Sequence, residues 1–225
     1  MKGKILFPLA LFSIFINSYS QEYFEGEVHF KISYDSFIDQ LPEALLIQEF
    51  GDTLVGYVQE NRYIMTSNTK GTAGEQKLIM LMDENLVYVV SEKSDTIYRS
   101  PINKEEDELI EVHKVKDETK VVLGDICPAV ILNSKNTDPE NPFTVKLGKY
   151  FYNPKFKLNK AAYANHKSGH WNSFVNETGA ISVRNEVRHE PLYKSVMVAF
   201  QILPKKIPDA LFDITKYNKV IIDLE

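Results

Sequence analysis

Cysteine is almost absent from this chain: Cys127 is the single one in 225 residues. No disulfide can close within the chain, so a small exported scaffold stapled by bridges is excluded. The core alone must hold the fold. Positive charge is also short, with 26 basic side chains against 31 acidic ones and a net charge of −5. No basic patch interleaves with exposed aromatics, which excludes ordinary nucleic-acid binding, because backbone phosphates need positive charge. Chemistry-bearing motifs are missing too. There is no Gly-x-Ser-x-Gly elbow, no Cys and His close in sequence, and no glycine-rich loop that follows a strand and opens a helix. Gly71 and Gly74 read as turn glycines. The expectation is a chain with no catalytic residue and no cofactor.

What is present begins at the N-terminus. Lys2 and Lys4 precede an apolar run from Ile5 to Ile16, followed by Asn17, Ser18, Tyr19 and Ser20. That pattern predicts a secretory signal peptide over residues 1–20, cleaved between Ser20 and Gln21. The run is too short to span a bilayer, and the mature chain has no transmembrane segment of its own. Cleavage removes two lysines and no acid, so the mature chain is two charges more negative than the −5 of the whole. No cysteine lies at the cleavage site, so a lipid anchor has no attachment atom. A free thiol in an exported protein fits a bacterial periplasm. Residues 21–225 are expected to form a single domain.

Short strands dominate those residues. Val28, Phe30, Ile32 and Tyr34 alternate with Glu27, His29, Lys31 and Ser33, placing apolar side chains on one sheet face. An amphipathic helix is predicted over Asp35–Phe50. Hairpins follow over 54–59 with 62–67 and over 77–82 with 86–91, and a strand over 96–100. Residues 104–108 read as a solvated acidic loop. Strands over 109–116 and 119–123 straddle Asp117-Glu118, then come 126–133 and 143–150. Residues 153–171 are the least regular, with a short helix over 160–166. Ile181, Val183 and Val187 alternate again. Residues 193–203 are apolar on both parities, so this strand is expected to be buried on both sides or to line an enclosed space. A helical turn at 208–212 and a strand at 220–224 finish the chain. The fold class is therefore mainly β (α+β). It is a strongly curved antiparallel sheet or half-barrel of about ten strands, with one to three helices on the concave side. A closed lipocalin-like barrel is the alternative.

Among the five histidines, His166 and His170 stand four apart. Gly169 between them and the lack of a third ligand argue against a metal site, so both are expected on the surface or in loops. His29 and His113 fall on polar parities, and His189-Glu190 reads as an incidental pair. Aromatic residues gather in the irregular segment. Tyr163, Trp171 and Phe174 suit either the rim of a ligand cavity or a loop folded over the end of the sheet. With the concave face assigned to Val196, Val198, Phe200 and Ile202, these seven residues are the expected ligand-binding set. A cavity above about 300 Å³ facing the 193–203 strand is what that reading requires.

Four segments carry a family resemblance: Phe24–Ile32, Glu60–Met65, Lys120–Ala129 and Ile207–Ile214. Together they resemble exported Bacteroidota proteins of the DUF4412 and GLPGLI type, whose fold looks related to that of the LolA lipoprotein carriers. The GLPGLI hexapeptide itself is missing, as is a lipobox. The resemblance implies a half-barrel with a hydrophobic concave face. It does not by itself imply lipoprotein transport, because one fold hosts many uses. The expected function is a non-enzymatic cell-envelope binding protein for a hydrophobic or acylated ligand. Its partners would be a lipid or acylated protein and an envelope protein. The alternatives are a structural or protein-interaction module without a ligand, and an exported hydrolase or metal enzyme.

Overall fold

The computed structural model describes residues 22–105 and 107–224. The signal-peptide reading of residues 1–20 lies outside them. Six strands run in succession: β1 (Gly26–Ser36), β2 (Thr53–Val58), β3 (Arg62–Ser67), β4 (Gln76–Leu81), β5 (Leu86–Ser91) and β6 (Thr96–Pro101). Five longer ones follow: β7 (Asp107–Val122), β8 (Asp125–Asn136), β9 (Val145–Lys157), β10 (Ala180–Glu190) and β11 (Tyr193–Pro204). The last, β12 (Val220–Asp223), closes the count. All join one curved, unclosed sheet of twelve strands in the order β12-β6-β5-β4-β3-β2-β1-β11-β10-β9-β8-β7. β1–β6 and β7–β11 thus make two antiparallel meanders, while β12 pairs β6 in parallel, a departure from the all-antiparallel sheet expected. Pairing of β1 with β11, from Gly26 opposite Pro204 to Ser36 opposite Tyr193, joins them. The closed-barrel alternative fails because β7 and β12 remain free edges.

Several boundaries moved, each for a physical reason. The helix predicted from Asp35 starts only at Glu43, as α1 (Glu43–Phe50). Asp35 and Ser36 are claimed by β11 partners Lys194 and Tyr193, so sheet pairing wins over helical periodicity. The acidic loop at 104–108 ends early. Asp107 is buried, opens β7, and accepts from Lys146 Nζ at 2.7 Å and from Ser134 Oγ at 3.3 Å. The two strands read around Asp117-Glu118 are one strand with an irregularity between Lys114 and Thr119. Past that point β7 approaches β11. There Lys149 Nζ meets Glu118 Oε1 at 2.6 Å, and Lys120 sits near Glu186. β9 runs straight through Pro154, because β8 stops pairing with it at Phe151 and leaves a free side where the missing N–H costs nothing.

A helix absent from the sequence reading covers part of the sheet. The helices α2 (Lys160–Tyr163) and α3 (Trp171–Thr178) lie in the connection between β9 and β10. Gly179 ends α3 in the left-handed region at φ 61°, and its N–H bonds the Val175 carbonyl at 2.7 Å. A side chain there would also press on Lys160, whose Cε lies 3.0 Å from the position of a Cβ.

The sheet has two apolar faces. Val28, Phe30, Ile32 and Tyr34 of β1 define the inner one, continued by Tyr63, Met80 and Val87 through the strand register. Leu46 of α1 is fully buried against Tyr34 and Tyr193 at one end of that face. On the outer face, Ile64, Ile79, Leu81, Tyr88, Val90 and Ile97 form a second cluster. The C-terminal segment crosses it, seating Ile207 and Phe212 there. Glu25 Oε1 accepts from Ile207 N at 2.7 Å, and Arg99 grips Asp223 through two nitrogens. Each such fully buried aliphatic side chain contributes about 1.5–3 kcal/mol.

Candidate functional site

The helices fill the inner face unevenly. Phe174 and Val175, at 1% and 0% exposure, point from α3 into the half built by β7, β8 and β10. Tyr150 meets Phe174 at 5.7 Å and the edge of Trp171 at 6.2 Å between ring centroids. Over β2–β4 no helix follows. Here the segment stacks on the sheet through Tyr163 and His166. Tyr163 lies parallel to Tyr63 of β3, with centroids 6.2 Å apart and planes 6° apart. His166 Nε2 is 2.6 Å from the Tyr63 hydroxyl.

Between those ring contacts and the sheet lies a cavity of about 240 Å³. Its floor is Val28 and Phe30 of β1, Leu54, Gly56 and Val58 of β2, Tyr63 and Met65 of β3, and Leu78 of β4. Its side wall is Ile181, Ser182 and Asn185 of β10 with Met197 of β11, and its cover is Leu158, Tyr163 and Trp171. Gly56 helps to leave the space open: a Cβ there would stand 3.2 Å from Met65 Sδ.

No charged or histidine side chain is among the lining residues. The polar groups nearby are kept neutral. Burial pushes the Tyr63 and Tyr163 hydroxyls well above the usual tyrosine range, and pushes His166 down to about 4. Ser182 and Asn185, both buried, bond each other through Oγ and Oδ1. This arrangement can hold an uncharged apolar molecule. It offers no nucleophile paired with a base. Among the described residues no group of three or more His, Cys, Asp or Glu could hold a metal ion.

The seven residues expected to bind ligand are not brought together. Tyr163 and Trp171 line the cavity. Phe174 lies beneath them, packed into the core. The assignment of Val196, Val198, Phe200 and Ile202 to one concave face requires correction. A one-residue bulge on β11, where Val28 faces Ile202 but Phe30 faces Ala199, shifts the alternation. Val196 and Val198 stand opposite Ser33 and Lys31 on the outer face. Phe200 is the bulged residue, 54% exposed, with its ring edge-on to His29 at 6.0 Å. Ile202 returns to the inner side against the main core, but not to the cavity. Met197 is the β11 residue that reaches it, and the cavity is smaller than the roughly 300 Å³ the reading called for.

The histidines depart from expectation in part. His166, in a loop as expected, and His170 are both buried, and His29 is half-buried beside Glu27 at 3.1 Å, while His113 is exposed as its parity predicts. The missed lining residues had a signal. Leu54, Gly56 and Val58, then Tyr63 and Met65, share the inner parity of adjacent hairpin strands.

No family model matches the chain, and no curated protein matches it. Among solved structures, it is similar to an uncharacterized conserved protein from Thermus thermophilus. That pair is 8% identical, covers 89% of this chain and 91% of that one, and has a TM-score of 0.42. A LolA superfamily protein from Nitrosomonas europaea is 10% identical over 87% of this chain and 93% of its own, with a TM-score of 0.39. A DUF1329 family protein from Desulfovibrio piger is 9% identical over 87% and 92%, also at 0.39.

Proposed function

We propose that this chain is a non-enzymatic binding protein of the bacterial cell envelope, exported to the periplasm, that holds an uncharged hydrophobic molecule on the inner face of its sheet. The observation that carries this reading is the cavity of about 240 Å³ whose lining contains no Asp, Glu, Lys, Arg or His. Apolar pockets with a few polar groups are the usual form of small-molecule sites. The signal-peptide pattern of residues 1–20 supports export. The described residues contain no helix long and apolar enough to cross a membrane. Tyr163 and Trp171 are the two originally expected residues that remain in this proposal.

Trp171 is the chain's single tryptophan and forms part of the cavity cover, so it reports occupancy directly. Titration with the neutral probe N-phenyl-1-naphthylamine is expected to quench Trp171 emission saturably at one site per chain. An unchanged Trp171 spectrum, with probe fluorescence no higher than in buffer, would contradict the proposal.

A second reading rests on another feature. At the β7–β8 hairpin, Val121, Leu123 and Ile126 are 71%, 50% and 69% exposed. Apolar residues clustered on a tight turn favour a protein-interaction module. That reading predicts partner capture that is lost in Val121→Ser/Ile126→Ser, with Trp171 unaffected.

A further inference from the structure

We infer that the ligand presents an uncharged carbonyl, as an ester or amide does, and that Asn185 donates to it. The inference rests on the binding reading above and narrows it. Two polar side chains, Ser182 and Asn185, interrupt an otherwise apolar wall, and both are more than nine-tenths buried at 8% and 6% exposure. Buried amides retain hydrogen-bond partners on both ends as a rule. In Asn185 the carbonyl end is taken by Ser182 Oγ, which also lies 3.4 Å from the Phe151 carbonyl. The amide N–H2 end has no protein acceptor among the described residues. The end left for a ligand is therefore a donor, and the group it fits is an acceptor.

Charge decides which acceptor. With no Lys, Arg or His at the lining, a carboxylate or phosphate would lose its hydration without gaining a counter-ion. A neutral carbonyl loses far less and gains the Asn185 bond. The size of the cavity limits the remainder. At about 30 Å³ for a water-sized group, the 240 Å³ encloses about eight such groups, and a longer ligand leaves its remaining atoms outside the cavity.

The test uses the mature chain with three probes: methyl octanoate, undecane and octanoate. They are followed by Trp171 emission and by displacement of N-phenyl-1-naphthylamine. Asn185→Leu is expected to weaken methyl octanoate roughly tenfold while undecane binds as before or more tightly. Octanoate is expected to bind the unaltered protein at least tenfold more weakly than its methyl ester. A measurement on the unaltered protein covers a variant that does not fold. The infrared carbonyl band of bound methyl octanoate, labelled at the carbonyl carbon, should lie below its position in hexane. Equal losses for ester and alkane in Asn185→Leu, or a bound band at the hexane position, overturn the inference and leave the binding reading standing. Binding of none of the probes overturns both.

Discussion

The two meanders of this sheet bury the same inner face by different means. In the long-strand half, strands of 11–16 residues pack on α3, and Phe174 and Val175 are buried between them. In the other half, β2–β6 are six residues each, and their tight packing is on the outer face, against Ile207 and Phe212. The inner face over β2–β4 is covered by Tyr163, His166, Leu158 and Trp171, and a void remains. Protein interiors rarely tolerate such voids, because lining atoms lose their partners. One half buries its apolar surface against α3, and the other leaves it lining the cavity in which the proposed ligand would sit.

Substitutions can break that contrast in order of effect. Phe174→Ala removes a fully buried ring from the filled half. It should cost about 3–5 kcal/mol in urea unfolding, and it should loosen the cover enough to abolish probe binding. Gly56→Leu acts on the unfilled half. Its side chain enters the cavity by moving Met65, a flexible neighbour. Probe binding should be lost while stability stays within about 1 kcal/mol of the parent, because a strand glycine is replaced and a void is filled.

Acid should act on the latch between the halves. His166 is driven down to about 4 by burial, against 6.5 when unfolded. Its contribution to stability is complete above pH 6.5, falls as pH drops from 6.5 to 4, and is constant below. By linkage the loss is of the order of 3 kcal/mol. His189, also lowered to about 4 by burial, acts in the same window. Unfolding at stepped pH checks this, and His166→Gln should remove its share of the loss while the share of His189 remains. The smallest effect belongs to Phe200. Half-exposed on the outer face, Phe200→Ser should change stability by no more than about 0.5 kcal/mol and leave probe binding intact.

The contrast was partly legible in the sequence. Alternation identified β1, and turn signals identified β2–β6, because each of these pairs with its sequence neighbour through a short connection. The filling of the inner face was not legible. α3 has no side-chain cap at its start and follows two left-handed residues, Gly169 and His170. Of its remaining signals, Trp171 and Phe174 were read as a cavity rim or a loop folded over the sheet end, and Val175 and Thr178 at helical spacing before Gly179 were not used. Tyr163 and Trp171 were found through their amphipathic rings. The β11 residues were misplaced because a bulge inverts alternation without leaving a turn residue behind. Ser182 was read on the polar parity of its strand, and Asn185, a polar residue on the parity of Ile181, Val183 and Val187, was not singled out, since burial on both faces of β10 depends on α3 and the distal part of β7.

Native mass spectrometry of the mature chain and of Gly56→Leu, both released gently from a bacterial periplasm and then incubated with envelope lipid extract, tests the central claim most directly. The account predicts a bound small molecule on the parent chain that is released on denaturation, and none on Gly56→Leu. The same added mass on both proteins, or a bare mass for the parent after incubation, would contradict it.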